Sequence, residues 1–285
     1  MTRPSLLPLW RDKIVRVIDR VRRQFVRSAE LCFAVMMRLV PRQLRFETGL
    51  FIARATVPLL SKTAAYREQQ IKGFHSPSEI VLYLLLNAMS KNGTPYRLEI
   101  AVSGYEDFLR SHAKHKGVLV VGHHAALTLL MVRFFHDKGF DPIVISPDPR
   151  LPIAGTLAIA RTVQPSPMFL VQLRGKLRSG ELVCAMPDRA EHHPGRTVEF
   201  ATPTGRVILA PAMIQVAARC GAEVVFAEVR VHHRRLVGSI RVPSPSSADA
   251  QAITADFISF VKECTATDSR SDDPGINALN AVTEL

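Results

Sequence analysis

Two adjacent histidines, His123 and His124, close the run Gly117-Val118-Leu119-Val120-Val121-Gly122. Histidine exchanges protons near neutral pH, so this position offers a general base or acid. The apolar residues ahead of the pair read as a buried strand. The segment after it, from Ala125 to Phe135, has helical composition. A titratable group at the carboxyl end of a buried strand is where open α/β sheets place ligands and chemistry. A histidine pair that satisfies a helix entrance would have the same local pattern. Two other apolar runs also end in polar residues: Ile145-Ser146-Pro147-Asp148 and Met186-Pro187-Asp188-Arg189. If the three strands are parallel, two histidines, two aspartates and an arginine share one edge of the sheet.

The elements that must position these groups follow from periodicity. From residue 95 on, strand-like and helical stretches alternate. Strands are expected at 96–103 (an outer one), 118–121, 142–146, 182–186 and 223–231, with 236–242 pairing with the last. Helices are expected at 105–115, from 125 toward Gly139, at 169–178, within 207–219 and at 248–264. This alternation argues an α/β fold, a central mostly parallel sheet flanked by helices. The first 94 residues look helical, with helices at 28–40, 46–60 and 78–89. The expected organisation is a helical, basic N-terminal region (1–94), an α/β core (95–264) and a mobile tail (265–285).

Charge is unevenly placed. The formal net charge is +12, and residues 1–45 hold eleven Arg or Lys against three Asp or Glu, or +8 of that total. Within this arm Trp10, Ile14, Val17, Ile18, Val21 and Phe25 recur at helical spacing, while Arg16, Arg20 and Arg23 belong to the opposite side. A basic amphipathic helix opening on Trp10 fits peripheral binding to an anionic membrane. The same stripe could dock on the body of the protein or receive an acidic carrier protein. Nucleic acid suits the charge too, but no aromatic stacking array or DNA-binding motif supports it. Apolar stretches are about half the length that spans a bilayer, so no transmembrane helix is expected. The four scattered cysteines read as reduced thiols of a cytosolic protein. The pairs His192-His193 and His232-His233 lack metal-ligand spacing, and no metal site is expected.

Residues 95–232 resemble the lipid A late acyltransferases of the lysophospholipid acyltransferase superfamily. The likeness rests on several blocks in order: Val102-Ser103-Gly104-Tyr105-Glu106, the strand ending in His123, the run Leu177–Asp188, Val198-Glu199-Phe200, Leu209-Ala210-Pro211-Ala212 and Ala217–Ala222. It implies a glycerolipid-acyltransferase-like fold. It also implies acyl transfer from a carrier-protein or coenzyme A thioester to a lipid or small-molecule hydroxyl or amine, at the cytoplasmic face of the inner membrane. Such a reaction requires no cofactor beyond the thioester co-substrate. His123 would be the general base. His124 would shape the pocket or take over that role. Thr128, Asp148, Arg150, Arg189 and Phe200 would contact substrate.

The family pattern places an acidic residue five positions after its histidine. Here that position is Thr128 counted from His123, or Leu129 counted from His124. Three explanations stay open. Asp188 (preferred) or Asp148 supplies the carboxylate from a neighbouring strand end. The acceptor is an amine, which needs less base assistance. Or turnover is lost, leaving a protein that binds acyl thioester or lipid.

Overall fold

The computed structural model describes residues 24, 28–60, 77–94, 98–113, 117–125, 127–145, 160–164, 166–188, 196–203, 205–233, 235–243 and 249–268. Trp10, Arg16, Arg20, Arg23, Asp148, Arg150, Arg189, His192 and His193 lie outside them, as does the tail beyond Asp268.

The helical N-terminal region contains α1 (28–39), α2 (Arg45–Leu60) and α3 (Pro77–Lys91). The remainder runs β1 (Ile100–Ser103), α4 (Tyr105–His112), β2 (Val118–Gly122), α5 (Leu130–Asp137), β3 (Ile143–Ile145), β4 (Arg161–Val163), α6 (Phe169–Arg178), β5 (Leu182–Ala185), β6 (Val198–Thr202), β7 (Gly205–Leu209), α7 (Ala212–Arg219), β8 (Glu223–His232), β9 (Arg235–Arg241) and α8 (Ala250–Asp268). Seven strands form one sheet in the order β1-β9-β8-β2-β5-β3-β4, while β6 and β7 make a separate hairpin. From β8 through β4 every neighbour is parallel, and the one antiparallel pair in the sheet is β8–β9. The fold is α/β, with a mostly parallel sheet flanked by helices.

Each layer follows from the side chains. β2 is buried at every position, as a central parallel strand covered on both faces must be. Val118 and Val120 belong to a core with α2, α3, α4 and α5, which includes Leu50, Leu82, Phe108 and Phe135. Leu119 and Val121 face the opposite core with α6, α7 and α8, which includes Leu173, Ile214, Phe257 and Phe260. The pleat thus sorts alternate residues between two helical layers. Glu79 of α3 accepts the backbone N–H of Val231 at 2.7 Å, tying the N-terminal helices to β8.

The topology places the histidines. The chain leaves β2 through α5 and skips a strand to reach β3. It leaves β5 through α7 and skips past β2 to reach β8. Neighbouring strands whose connections depart in opposite directions, over opposite faces, open a crevice at their carboxyl ends. His123 and His124 follow β2, and Asp188 follows β5, so all three stand at that crevice.

Several sequence expectations shift. The segment after His124 does not start a helix: Ala125 N–H bonds to the His123 carbonyl at 2.7 Å and Thr128 N–H to that of Ala125 at 3.2 Å, and α5 begins at Leu130. Only 212–219 of the stretch 207–219 is helical, because Val207 and Leu209 are buried strand residues of the β6–β7 hairpin. That hairpin and the short β4 had no sequence expectation. Helix α8 runs past Cys264 to Asp268, with the Thr265 hydroxyl bonded back to the Val261 carbonyl at 2.9 Å, so residues 265–268, expected in the tail, are helical.

Gly122 is the tight point. A Cβ there would stand 2.6 Å from Thr128 Cγ2 and 3.2 Å from the Ala227 carbonyl oxygen. Gly122→Ala should therefore cost about 1–3 kcal/mol in denaturant unfolding. Thr128→Ser removes the clashing methyl, so the double variant should regain part of that loss. Simple additivity of the two changes would show that this contact does not set the cost.

Candidate functional site

Two histidine–carboxylate couples stand at the carboxyl edge of the sheet. The first joins β2 to β5. His124 Nδ1 donates to Asp188 Oδ1, and the His124 backbone N–H donates to Asp188 Oδ2 at 2.6 Å. The Asp188 side chain is 1% exposed and that of His124 25%. Asp188 is set by its surroundings: Ala210 N–H bonds to the Pro187 carbonyl at 2.9 Å, fixing the end of β5 against the end of β7. Burial alone would raise the Asp188 pKa. The charge of His124, its ring N–H and its amide outweigh burial and hold the carboxyl below the usual carboxylate range, with a smaller contribution from His123. With Nδ1 engaged, Nε2 is the ring nitrogen left to exchange a proton.

The second couple joins β2 to β8. Gly122 pairs with Ala227, so His123 and Glu228 come next on neighbouring strands. His123 Nε2 lies 3.7 Å from Glu228 Oε2, and the His123 side chain is 2% exposed. The other carboxylate oxygen, Oε1, accepts the Ser239 hydroxyl at 3.2 Å. Cys264 of α8 completes the group, its sulfur and the two other donor atoms lying within 4.8 Å of one another. Burial acts to raise the Glu228 pKa, but the neighbouring His123 imidazole and Cys264 thiol, with the charge of Arg230, bring it below the ordinary glutamate value. Burial pushes the Cys264 thiol far up, and the Glu228 charge adds to that, so Cys264 is an unreactive thiol as it stands. Cys184 is likewise pushed up to about 12 by burial.

The expected site residues thus separate. Asp188 closes on His124 and not on His123, the histidine favoured as base from the sequence. His123 is turned into the α8 layer, where Leu119 and Val121 of the same strand also point. Thr128 is buried, and its hydroxyl has no hydrogen-bond partner among the described residues. Phe200, in β6, is half-buried and packs against the α6–α8 core. His232 and His233 sit at the β8–β9 turn with rings 4.1 Å apart. All four cysteines are free thiols.

Glu228 and Cys264 were not singled out in the sequence. For Glu228 a signal existed: it interrupts the apolar run Val224-Val225-Phe226-Ala227-Glu228-Val229 of a buried strand. For Cys264 there was none, since a thiol in an amphipathic helix reads as core.

Compared with models of known protein families and with curated proteins, the chain has no match.

The buried Asp188–His124 couple predicts a pH signature. A carboxyl held low in the folded state contributes stability that is full above its unfolded pKa, about 3.9, and is lost as pH falls through the folded value. Asp188→Asn should destabilise by about 3 kcal/mol at neutral pH. The gap to wild type should narrow as pH falls below about 4. A gap that stays constant down to pH 3 would mean that the Asp188 charge is not what stabilises.

Proposed function

We propose that the protein is an acyltransferase of the late-acyltransferase type, moving an acyl or aminoacyl group from a carrier-protein or coenzyme A thioester to a hydroxyl or amine. The observation that carries this is the His124–Asp188 couple at the topological crevice. A buried carboxylate holds Nδ1 of a partly exposed imidazole, as in a general-base dyad. On this reading Nε2 of His124 removes the proton from the acceptor as it attacks the thioester carbonyl. The tetrahedral intermediate then collapses, and the departing thiolate takes the proton back from the imidazolium. Asp188 supplies from β5 the carboxylate that Thr128 cannot. His123 stands behind the dyad rather than in it.

The site of action is proposed to be an anionic membrane surface on the cytoplasmic side. Among the described residues no helix is long and apolar enough to cross a membrane. What supports peripheral binding, beside the arginine-rich sequence of the arm, is a set of exposed apolar side chains: Leu31, Val35 and Leu39 at four-residue spacing on α1, and Phe51 on α2, Leu39 being 85% and Phe51 72% exposed. Exposed apolar groups beside clustered arginines bind an interface by two additive terms, one screened by salt and one not.

Mass spectrometry of products from a panel of acyl-carrier and acyl-coenzyme A thioesters tests the reaction. His124→Ala and Asp188→Asn should each lower kcat about 10²–10⁴-fold, while binding of the thioester changes little. Wild-type turnover in His124→Ala would overturn the base assignment. A binding-only protein, the reading favoured by Thr128 at the acid position, would hold the donor without releasing thiol to any acceptor.

Membrane association has its own test. Leu39→Asp with Phe51→Asp should weaken co-sedimentation with anionic vesicles at least tenfold, a change of about 1.4 kcal/mol. High salt should remove a further part. Equal pelleting of wild type with neutral and anionic vesicles would rule out the electrostatic term.

A further inference from the structure

His123, just beyond β2, Glu228 of β8 and Cys264 of α8, 105 and 36 positions apart in the chain, converge on one buried point. Their donor atoms are an imidazole nitrogen, a carboxylate oxygen and a sulfur. Two features set this group apart from ordinary core. Both ring nitrogens of His123 are buried without a hydrogen-bond partner among the described residues. Its Nε2 faces Glu228 Oε2 across 3.7 Å, too far for a hydrogen bond. A buried polar group left without a partner calls for a ligand, a water or an ion.

We propose that His123, Glu228 and Cys264 bind a divalent transition-metal ion of the zinc class. Nitrogen, oxygen and sulfur together suit a borderline-soft ion and not calcium or magnesium, which take oxygen ligands. Around one tetrahedral zinc, with bonds of about 2.0 Å to nitrogen and oxygen and about 2.3 Å to sulfur, ligand atoms lie roughly 3.3–3.5 Å apart. The His123–Glu228 separation is 3.7 Å and the widest gap is under 4.8 Å, so shifts of roughly 0.4–1.3 Å close the site. Charge also balances. A dication with one thiolate, one carboxylate and a neutral imidazole is neutral, which lowers the cost of holding the group in the interior. The thiol loses its proton to solvent as the metal–sulfur bond forms, one proton released per ion bound. Ser239 holds the second oxygen of Glu228 at 3.2 Å, the outer-shell support that orients a carboxylate ligand. Such an ion would tie α8 to the two central strands directly behind His124. It is independent of acyl transfer: the site stands whether or not His124 is a base.

Cobalt(II) reports on this directly, because a bound thiolate gives an intense near-ultraviolet charge-transfer band that histidine and carboxylate ligands do not. The metal-stripped full-length protein should take up one equivalent of cobalt with that band, and zinc should displace it. Cys264→Ser, close to isosteric, should abolish the band, while Cys32→Ser, at an exposed position, should keep it. Glu228→Gln should weaken binding at least tenfold by equilibrium dialysis, with circular dichroism confirming that each variant is folded. No thiolate band in wild type, or a band that survives Cys264→Ser, overturns the proposal. Cobalt uptake without the band, as surface histidines such as His232 and His233 would give, overturns it equally.

Discussion

The two-residue repeat of a pleated strand governs this site. Consecutive side chains on β2 must go to opposite faces. At the end of the strand, three successive residues therefore meet three different surroundings. Gly122 faces the α5 layer, where Thr128 fills the space its missing side chain leaves. His123 faces the α8 layer and Glu228. His124, the first residue beyond the sheet's control, turns across to Asp188 at the end of β5. Each carboxylate meets its own imidazole. Two carboxylates sharing one histidine would repel and raise one pKa strongly, whereas both are held low here.

This arrangement is expensive in desolvation. Moving an ion into the interior costs several kcal/mol even after relaxation. Asp188 is 1% exposed, and its cost is offset by a ring N–H and a backbone N–H that both point at it. The backbone donor matters most to geometry. It belongs to His124 itself, so the imidazole and the amide are positioned by the same peptide, and the ring cannot rotate away without breaking a bidentate grip. On the acyl-transfer reading, the preorganisation that general-base chemistry needs comes from this grip between the segments that follow β2 and β5. A buried ion pair is poor evidence for stability in itself. Its position at the crevice, where the connections from β2 and β5 part, is what gives it a functional sense.

Much of this was legible in the sequence, for a physical reason. Buried parallel strands are apolar on both faces, so 118–121, 182–186 and 223–231 announce themselves, and their polar ends mark one edge. The elements that escaped notice lack that contrast. β4 is three residues, one of them the exposed Arg161, and the β6 strand alternates half-buried with exposed side chains. The helix anticipated from Ala125 failed because composition does not reveal where a chain must first turn. Of the site, Asp188 was legible as a strand-end carboxylate, but which histidine it meets was not, since that depends on which way the chain turns after Gly122. Glu228 could have been read as a charge stranded in an apolar strand. Cys264 required the tertiary structure.

On the proposed acyltransferase reading, Thr128 stands where a motif acid would be expected. An acid five residues after its histidine is a local device: a turn brings the two together whatever the neighbouring strands do. At the end of β2 Thr128 occupies that position instead, buried and filling the space over Gly122. A carboxylate arriving from β5 instead depends on the register β2–β5, in which Val121 pairs with Ala185 and Asp188 follows three residues later. The two solutions place a carboxylate on an imidazole by different routes, one through sequence separation and one through strand pairing. The second couples the site to the integrity of the whole sheet. On the acyl-transfer reading, any change that slips or loosens the β2–β5 pairing lowers the rate through the His124–Asp188 bond before it unfolds the protein.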